Sequence, residues 1–66
     1  MEATSFQRQL LDTTEAAEFL GVESHTLAEW RSTERYNLPY VKIGRLVKYR
    51  RQDLEHFVES NIRLRH

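Results

Sequence analysis

"LPYVKIGRLVKYRR", residues 38–51, decides how the rest of the chain is read. Two short runs, "YVKI" and "LVKY", alternate apolar and polar residues on either side of Gly44-Arg45. Alternation at a period of two marks a half-buried strand. Pro39 cannot continue a helix and pushes Leu38 before it toward extended geometry. Glycine at the first central position suits a two-residue type II′ turn, so the two runs pair as a hairpin. Val41 and Ile43 share one face, and Val47 and Tyr49 share one. The expected hairpin therefore has an apolar inner face and a cationic outer face and tip. Lys42, Arg45, Lys48, Arg50 and Arg51 lie in this stretch, which contains no Asp or Glu.

That concentration is hidden in the totals. The 66-residue chain has ten Lys and Arg against ten Asp and Glu, a formal net charge of zero. Residues 1–30 carry Arg8 against Glu2, Asp12, Glu15, Glu18, Glu23 and Glu29; residues 31–51 carry Arg31, Arg35, Lys42, Arg45, Lys48, Arg50 and Arg51 against Glu34. The molecule is a charge dipole. Screening cuts interactions off beyond about 8–10 Å, so a polyanion responds to the local patch more than to the sum.

On the N-terminal side, "DTTEAAEFLG" reads as a short helix over 13–20. Asp12 can cap it, with Glu15 placed three residues later for a capping box. Ala16, Phe19 and Leu20 fall on one face, and Gly21 supplies a left-handed stop. After the turn "GVE", "SHTLAEWRSTER" reads as a second helix over 24–34. Leu27 and Trp30 point inward, with Thr26 beside them, and His25, Ala28, Glu29, Arg31 and Ser32 are exposed. Two short helices joined by a Gly-containing turn form a helix-turn-helix pattern. Residues 1–9 are polar and aperiodic, a lead-in, and Leu10 and Leu11 begin the packed part.

On the C-terminal side, "RRQDLEHFVESN" reads as a third helix over 51–60, with Leu54, Phe57 and Val58 at i, i+3, i+4. Arg50 offers no acceptor oxygen to cap it. Asp53 in its first turn favours the positive helix end. Asn61 can stop it, and "IRLRH" follows as a basic tail. The expected organisation is a tail at 1–10, a domain at 11–61 and a second tail at 62–66. The expected core is Phe19, Leu20, Val22, Leu27, Trp30, Val41, Ile43, Val47, Leu54, Phe57 and Val58. Trp30, spaced three from Leu27, reads as core rather than as a stacking platform.

Composition narrows the function classes. Hydrophobic residues at 39% and charged residues at 30% are globular values. There is no cysteine for a disulfide or thiolate metal site. His25, His56 and His66 lie on separate segments without metal-ligand spacing. No nucleophile–His–acid set or Gly-rich phosphate loop occurs, and both glycines belong to turns. No cofactor, catalytic residue or small-molecule substrate is expected. No apolar run approaches the roughly 20 residues of a membrane span, and no secretion signal opens the sequence. The expected location is the prokaryotic cytoplasm.

The order helix, tight turn, helix, basic hairpin, helix brings a family into view. "TTEAAEFLGV…HTLAEWR…LPYVKIGRLVKYRRQDLEHFV" resembles the excisionase-type winged helix-turn-helix domains, which share the MerR-like fold, over about residues 11–60. "AAEFLGV", the "TL" and "W" of the second helix, "LPYVKIGR" and the Arg-x-x-Leu opening of the third helix carry the resemblance in order. It implies a small, mostly α, α+β fold: a helix-turn-helix, a two-stranded hairpin wing and a C-terminal helix. It also implies that the second helix enters a major groove of double-stranded DNA while the wing lies along phosphates or an adjacent minor groove. Many relatives of this type are recombination directionality factors of phages or mobile elements, and others are transcriptional regulators. The chain departs from the pattern at the second helix cap, where Glu23 stands in place of a common Ser and Ser24 is expected to cap instead. His25, Ala28 and Glu29 stand where basic or aromatic residues are common.

The expected base-reading set is Ser24, His25, Thr26, Ala28, Glu29, Arg31 and Ser32. Arg31 suits a phosphate or the O6/N7 edge of guanine, and Glu29 suits cytosine N4. The expected backbone-contacting set is Arg35, Tyr40, Lys42, Arg45, Lys48, Arg50 and Arg51. Four phosphate contacts from Lys42, Arg45, Lys48 and Arg50 give a slope of about −3.6 in log affinity against log salt. Against this stand plainer readings: lysine on an edge strand protects against aggregation, and Glu29 and Arg31 suit any exposed helix. In an excisionase role the partners are DNA, a site-specific integrase and further copies bound cooperatively at adjacent sites. An interaction module without DNA binding is the reading from another class, motivated by the acidic first helix and Glu29.

Overall fold

The computed structural model describes residues 9–63. The chain order is β1 (Leu10–Asp12), α1 (Thr13–Leu20), α2 (Ser24–Thr33), β2 (Val41–Ile43), β3 (Leu46–Arg50) and α3 (Arg51–Ser60). The lead-in at 1–8 and the tail at 64–66 lie outside the described residues.

The helices form where their local signals place them. Asp12 accepts a hydrogen bond from the Glu15 amide at 2.8 Å while the Glu15 carboxylate accepts one from the Asp12 amide at 3.0 Å, closing the capping box of α1. Gly21, at φ 76°, ends that helix in the left-handed region that glycine enters without a Cβ clash. Helix α2 begins without a side-chain cap: its N-cap is Glu23, and Ser24 is already its first helical residue, contrary to the expected Ser24 cap. It stops one residue earlier than the sequence suggests, because Glu34 turns left-handed at φ 53°. Helix α3 runs over the expected residues, and Asn61 closes it by donating from its side-chain amide to the Phe57 carbonyl at 2.8 Å.

The hairpin pairs through Gly44-Arg45, with Gly44 at φ 61° and Arg45 at negative φ, the sign pattern of a type II′ turn. It is part of a three-stranded antiparallel sheet in the order β1-β3-β2. β1 has no counterpart in the sequence reading, since three residues carry too little alternation to register as a strand. It exists because β3 offers a second edge, on which Leu11 sits opposite Tyr49.

Register corrects the expected faces of the hairpin. A two-residue turn sets Ile43 opposite Leu46, Lys42 opposite Val47 and Val41 opposite Lys48. Directly paired residues share a face. Val41, Ile43, Leu46, Lys48 and Arg50 therefore share the outer face, while Lys42, Val47 and Tyr49 share the face toward the helices. Ile43 is 48% exposed and Leu46 58%. Ile43 is thus not a core residue, and neither is Val58, which is 44% exposed on the outer half of α3.

The core is smaller than expected and its centre lies elsewhere. Leu11, Ala16, Ala17, Leu27, Tyr49 and Leu54 are buried, and Phe19, Leu20, Val22, Trp30, Leu38 and Val47 pack half-buried around them. Val41 and Phe57 are also half-buried. Trp30 meets Tyr36 edge-on at 4.8 Å between ring centroids and lies 6.4 Å from Phe57. This aromatic set holds the 34–40 loop against α2 and α3.

Candidate nucleic-acid interface

Two elements can present side chains to a duplex: the outer side of α2 and the β2–β3 hairpin. On α2, Ser24, His25, Glu29 and Ser32 are exposed, and Thr26 and Ala28 are half-buried. His25, Glu29 and Ser32 recur at helical spacing on the side opposite buried Leu27, the side a groove would meet. Thr33 extends this surface, its hydroxyl donating to the Glu29 carbonyl at 2.9 Å.

Arg31 lies apart from this set. It is half-buried, and its Nη1 donates to the Tyr49 hydroxyl at 3.0 Å and to Thr13 Oγ1 at 3.5 Å. The guanidinium carbon stands 5.8 Å from the centroid of the Tyr40 ring. Arg31 follows Leu27 by one helical turn and so points toward the sheet rather than out to solvent.

The cations of the second set divide by their partners. Arg50 Nε and Nη2 form a two-pronged ion pair with Asp53, at 2.6 and 3.0 Å. That hydrogen bond and the carboxylate charge raise the Arg50 pKa above its ordinary value. The same pair ties the uncapped start of α3 to the end of β3. Arg51 pairs with Glu55 at 3.4 Å and lies 5.2 Å from the Phe19 ring centroid. Arg35 donates to the Tyr36 hydroxyl at 3.1 Å, which raises its pKa, and it stands over that ring. Lys42, Arg45 and Lys48 take part in no ion pair or side-chain hydrogen bond among the described residues. Lys42 and Arg45 are exposed, Lys48 is half-buried, and Tyr40 at the hairpin entry is 45% exposed. The unengaged cations of this set therefore sit on the hairpin but not on one face: Lys48 is on the outer face, Lys42 on the opposite one and Arg45 at the tip, so the expected cationic outer face is divided.

Tyr49 and Thr13 were not expected among the residues that shape this surface. Tyr49 had a legible signal: a tyrosine on the inward period of a strand needs a buried partner for its hydroxyl. Thr13 had none, because its link to Arg31 is purely tertiary. Elsewhere the surface offers little chemistry. Among the described residues no group of three His, Cys, Asp or Glu side chains could hold a metal ion, and no helix is long and apolar enough to cross a membrane.

A family model described as a helix-turn-helix domain matches residues 10–62, from the first residue of β1 to just past the end of α3. No curated protein matches the chain.

Proposed function

Since the chain belongs to the helix-turn-helix domain family, we propose that this DNA-binding protein reads a specific duplex sequence with the outer side of α2 and grips the backbone with its hairpin. The observation that carries the reading is the set of cations without partners. Lys42, Arg45 and Lys48 lie on one hairpin in a chain of zero net charge. Each phosphate neutralised by such a cation releases condensed counterions. His25, Glu29 and Ser32 supply the base-directed surface, with Glu29 suited to a cytosine amino group. Tyr40, at the hairpin entry, and Arg35, just past the end of α2, complete the backbone-directed set.

The role proposed within that activity is that of an excisionase. Copies bound cooperatively at adjacent sites would bend the duplex and engage a site-specific integrase, biasing recombination toward excision. The resemblance of "AAEFLGV", "LPYVKIGR" and the Arg-x-x-Leu opening of α3 to excisionase-type, MerR-like domains supports this role. A transcriptional regulator would use the same DNA surface, and an integrase gene beside this one would separate the two. A second reading, a protein-interaction module, draws on the exposed carboxylate of Glu29 in the middle of the outer side of α2.

Selection of bound sequences from random duplexes, followed by salt titration, tests the reading. The expected result is a convergent motif with repeated half-sites. Three free hairpin cations give a slope of about −2.7 in log affinity against log salt. Arg45→Ala with Lys48→Ala should weaken binding to every sequence alike and flatten that slope by about 1.8. No binding even at low salt would favour the interaction module.

A further inference from the structure

We propose that Arg31 is a positioning residue for DNA binding: its guanidinium sets the angle between the reading helix α2 and the hairpin wing. The proposal rests on the DNA-binding reading above. Helix and wing belong to different layers, so their relative orientation must be held by something that spans both. Among the described residues, the bond from Arg31 Nη1 to the Tyr49 hydroxyl, 3.0 Å long, is the one hydrogen bond between α2 and the sheet. The same nitrogen reaches Thr13 Oγ1 at 3.5 Å, which brings the first turn of α1 into the junction. The Tyr40 ring, in the loop leading to β2, lies 5.8 Å from the guanidinium carbon, centroid to carbon. One planar group thus touches both helices of the helix-turn-helix, the central strand of the sheet and the entry to the wing.

The chemistry of the junction calls for a donor that can serve two hydroxyls and lie against a ring. Tyr49 is 1% exposed, and its oxygen would be costly to bury without a partner. Among the described residues no buried side-chain nitrogen or oxygen lacks one. A guanidinium directs rigid, planar donors to two acceptors and can lie against a ring, and a lysine ammonium does neither in the same way. No carboxylate neutralises Arg31, so a hydrogen-bonded frame rather than an ion pair holds it in place. An interface that must engage a groove and a neighbouring stretch of backbone together loses affinity when its two parts are free to move relative to each other.

Tyr49→Phe separates this role from direct contact, because a side chain so deeply buried does not touch DNA. The probes are the duplex recovered by the native protein from a random pool and a mixed-sequence duplex of equal length. Tyr49→Phe should unfold cooperatively, bind the recovered duplex about tenfold more weakly and leave the salt slope unchanged. Arg31→Gln should weaken binding at least as much, and the double variant should be no weaker than Arg31→Gln alone, since Tyr49→Phe removes a bond that Arg31→Gln has already removed. Native-like binding by Tyr49→Phe overturns the proposal. So does a slope flattened by about 0.9 in Arg31→Gln, which marks a phosphate contact, or a preference relaxed at a single base position, which marks base reading. If the native protein recovers no motif and binds no duplex at low salt, the DNA reading falls and this proposal falls with it.

Discussion

Glu34 closes α2 with φ 53° and ψ 39°, the one non-glycine among the described residues in the left-handed region. A side chain with a Cβ costs about 1–2 kcal/mol there, since the Cβ crowds the following carbonyl oxygen. Its amide bonds the Arg31 carbonyl at 3.4 Å and the next amide bonds that of Trp30 at 3.1 Å, so the turn is held by α2's own carbonyls. Glu34→Gly should therefore raise stability by about 1 kcal/mol, read as a higher urea midpoint. Asp53 argues a second case at this scale. Its three-residue spacing from Arg50 puts it in reach of the residue that starts α3, and the resulting pair removes Arg50 from the free cations. Asp53→Asn should steepen the salt dependence of DNA binding toward about −3.6, as a fourth cation becomes available. That Asp53 favours the helix end was legible from sequence. That its partner would be Arg50, a residue expected on phosphate, was not, because the pairing needs the bend between β3 and α3.

The elements divide by how far their causes reach along the chain. The bounds of α1 and α3 follow from signals within a few residues: Asp12, Glu15 and Gly21 for one, Asn61 for the other. Asp12→Ala should lower stability by about 1 kcal/mol, read as a shift in thermal midpoint, because it opens the capping box. Strand β1 escapes the sequence because its cause, the free edge of β3, lies beyond two helices and a second strand. The hairpin is an intermediate case. Its turn was legible from Gly44-Arg45, and a two-residue turn already requires Ile43 to face Leu46 rather than Val47. That pairing puts Ile43 on the face opposite Val47, so the hairpin has no single apolar side. Gly44→Ala meets no neighbour within 4 Å, so its effect is purely conformational. It should cost about 1–2 kcal/mol and broaden the amide resonances of the hairpin.

At the scale of the whole molecule the core is thin. A chain of this size buries only about 60% of its extended surface. Three large side chains, Tyr49, Leu27 and Leu54, are fully buried, and Leu54 is 0% exposed. Leu54→Ala should cost about 2–5 kcal/mol, enough to leave much of the population unfolded in thermal melts. Trp30→Ala should cost about 3–5 kcal/mol through the ring cluster it forms with Tyr36 and Phe57. Leu27 and Leu54 were legible as core because helical periodicity marks them. Ala16 was legible from the helix face it shares with Phe19 and Leu20, and Tyr49 from the inward period of its strand, whereas Leu11 and Ala17 take their importance from the sheet closing over α1, a long-range event that no local window contains.

The seating of β1 beside β3 also has a consequence for how the chain is made. Leu11 leaves the ribosome before its neighbour Tyr49, which belongs to the fifth element of the domain. Until that strand appears, α1 can pack only against α2, the sheet side of the core stays open, and Arg31 has no phenol to hold. Helical turns can flicker in the nascent segment, yet the sheet cannot close, so the domain's closure waits for β3 and then happens at once. A message truncated before β3 would yield an exposed, protease-sensitive stub rather than a weaker version of the finished protein.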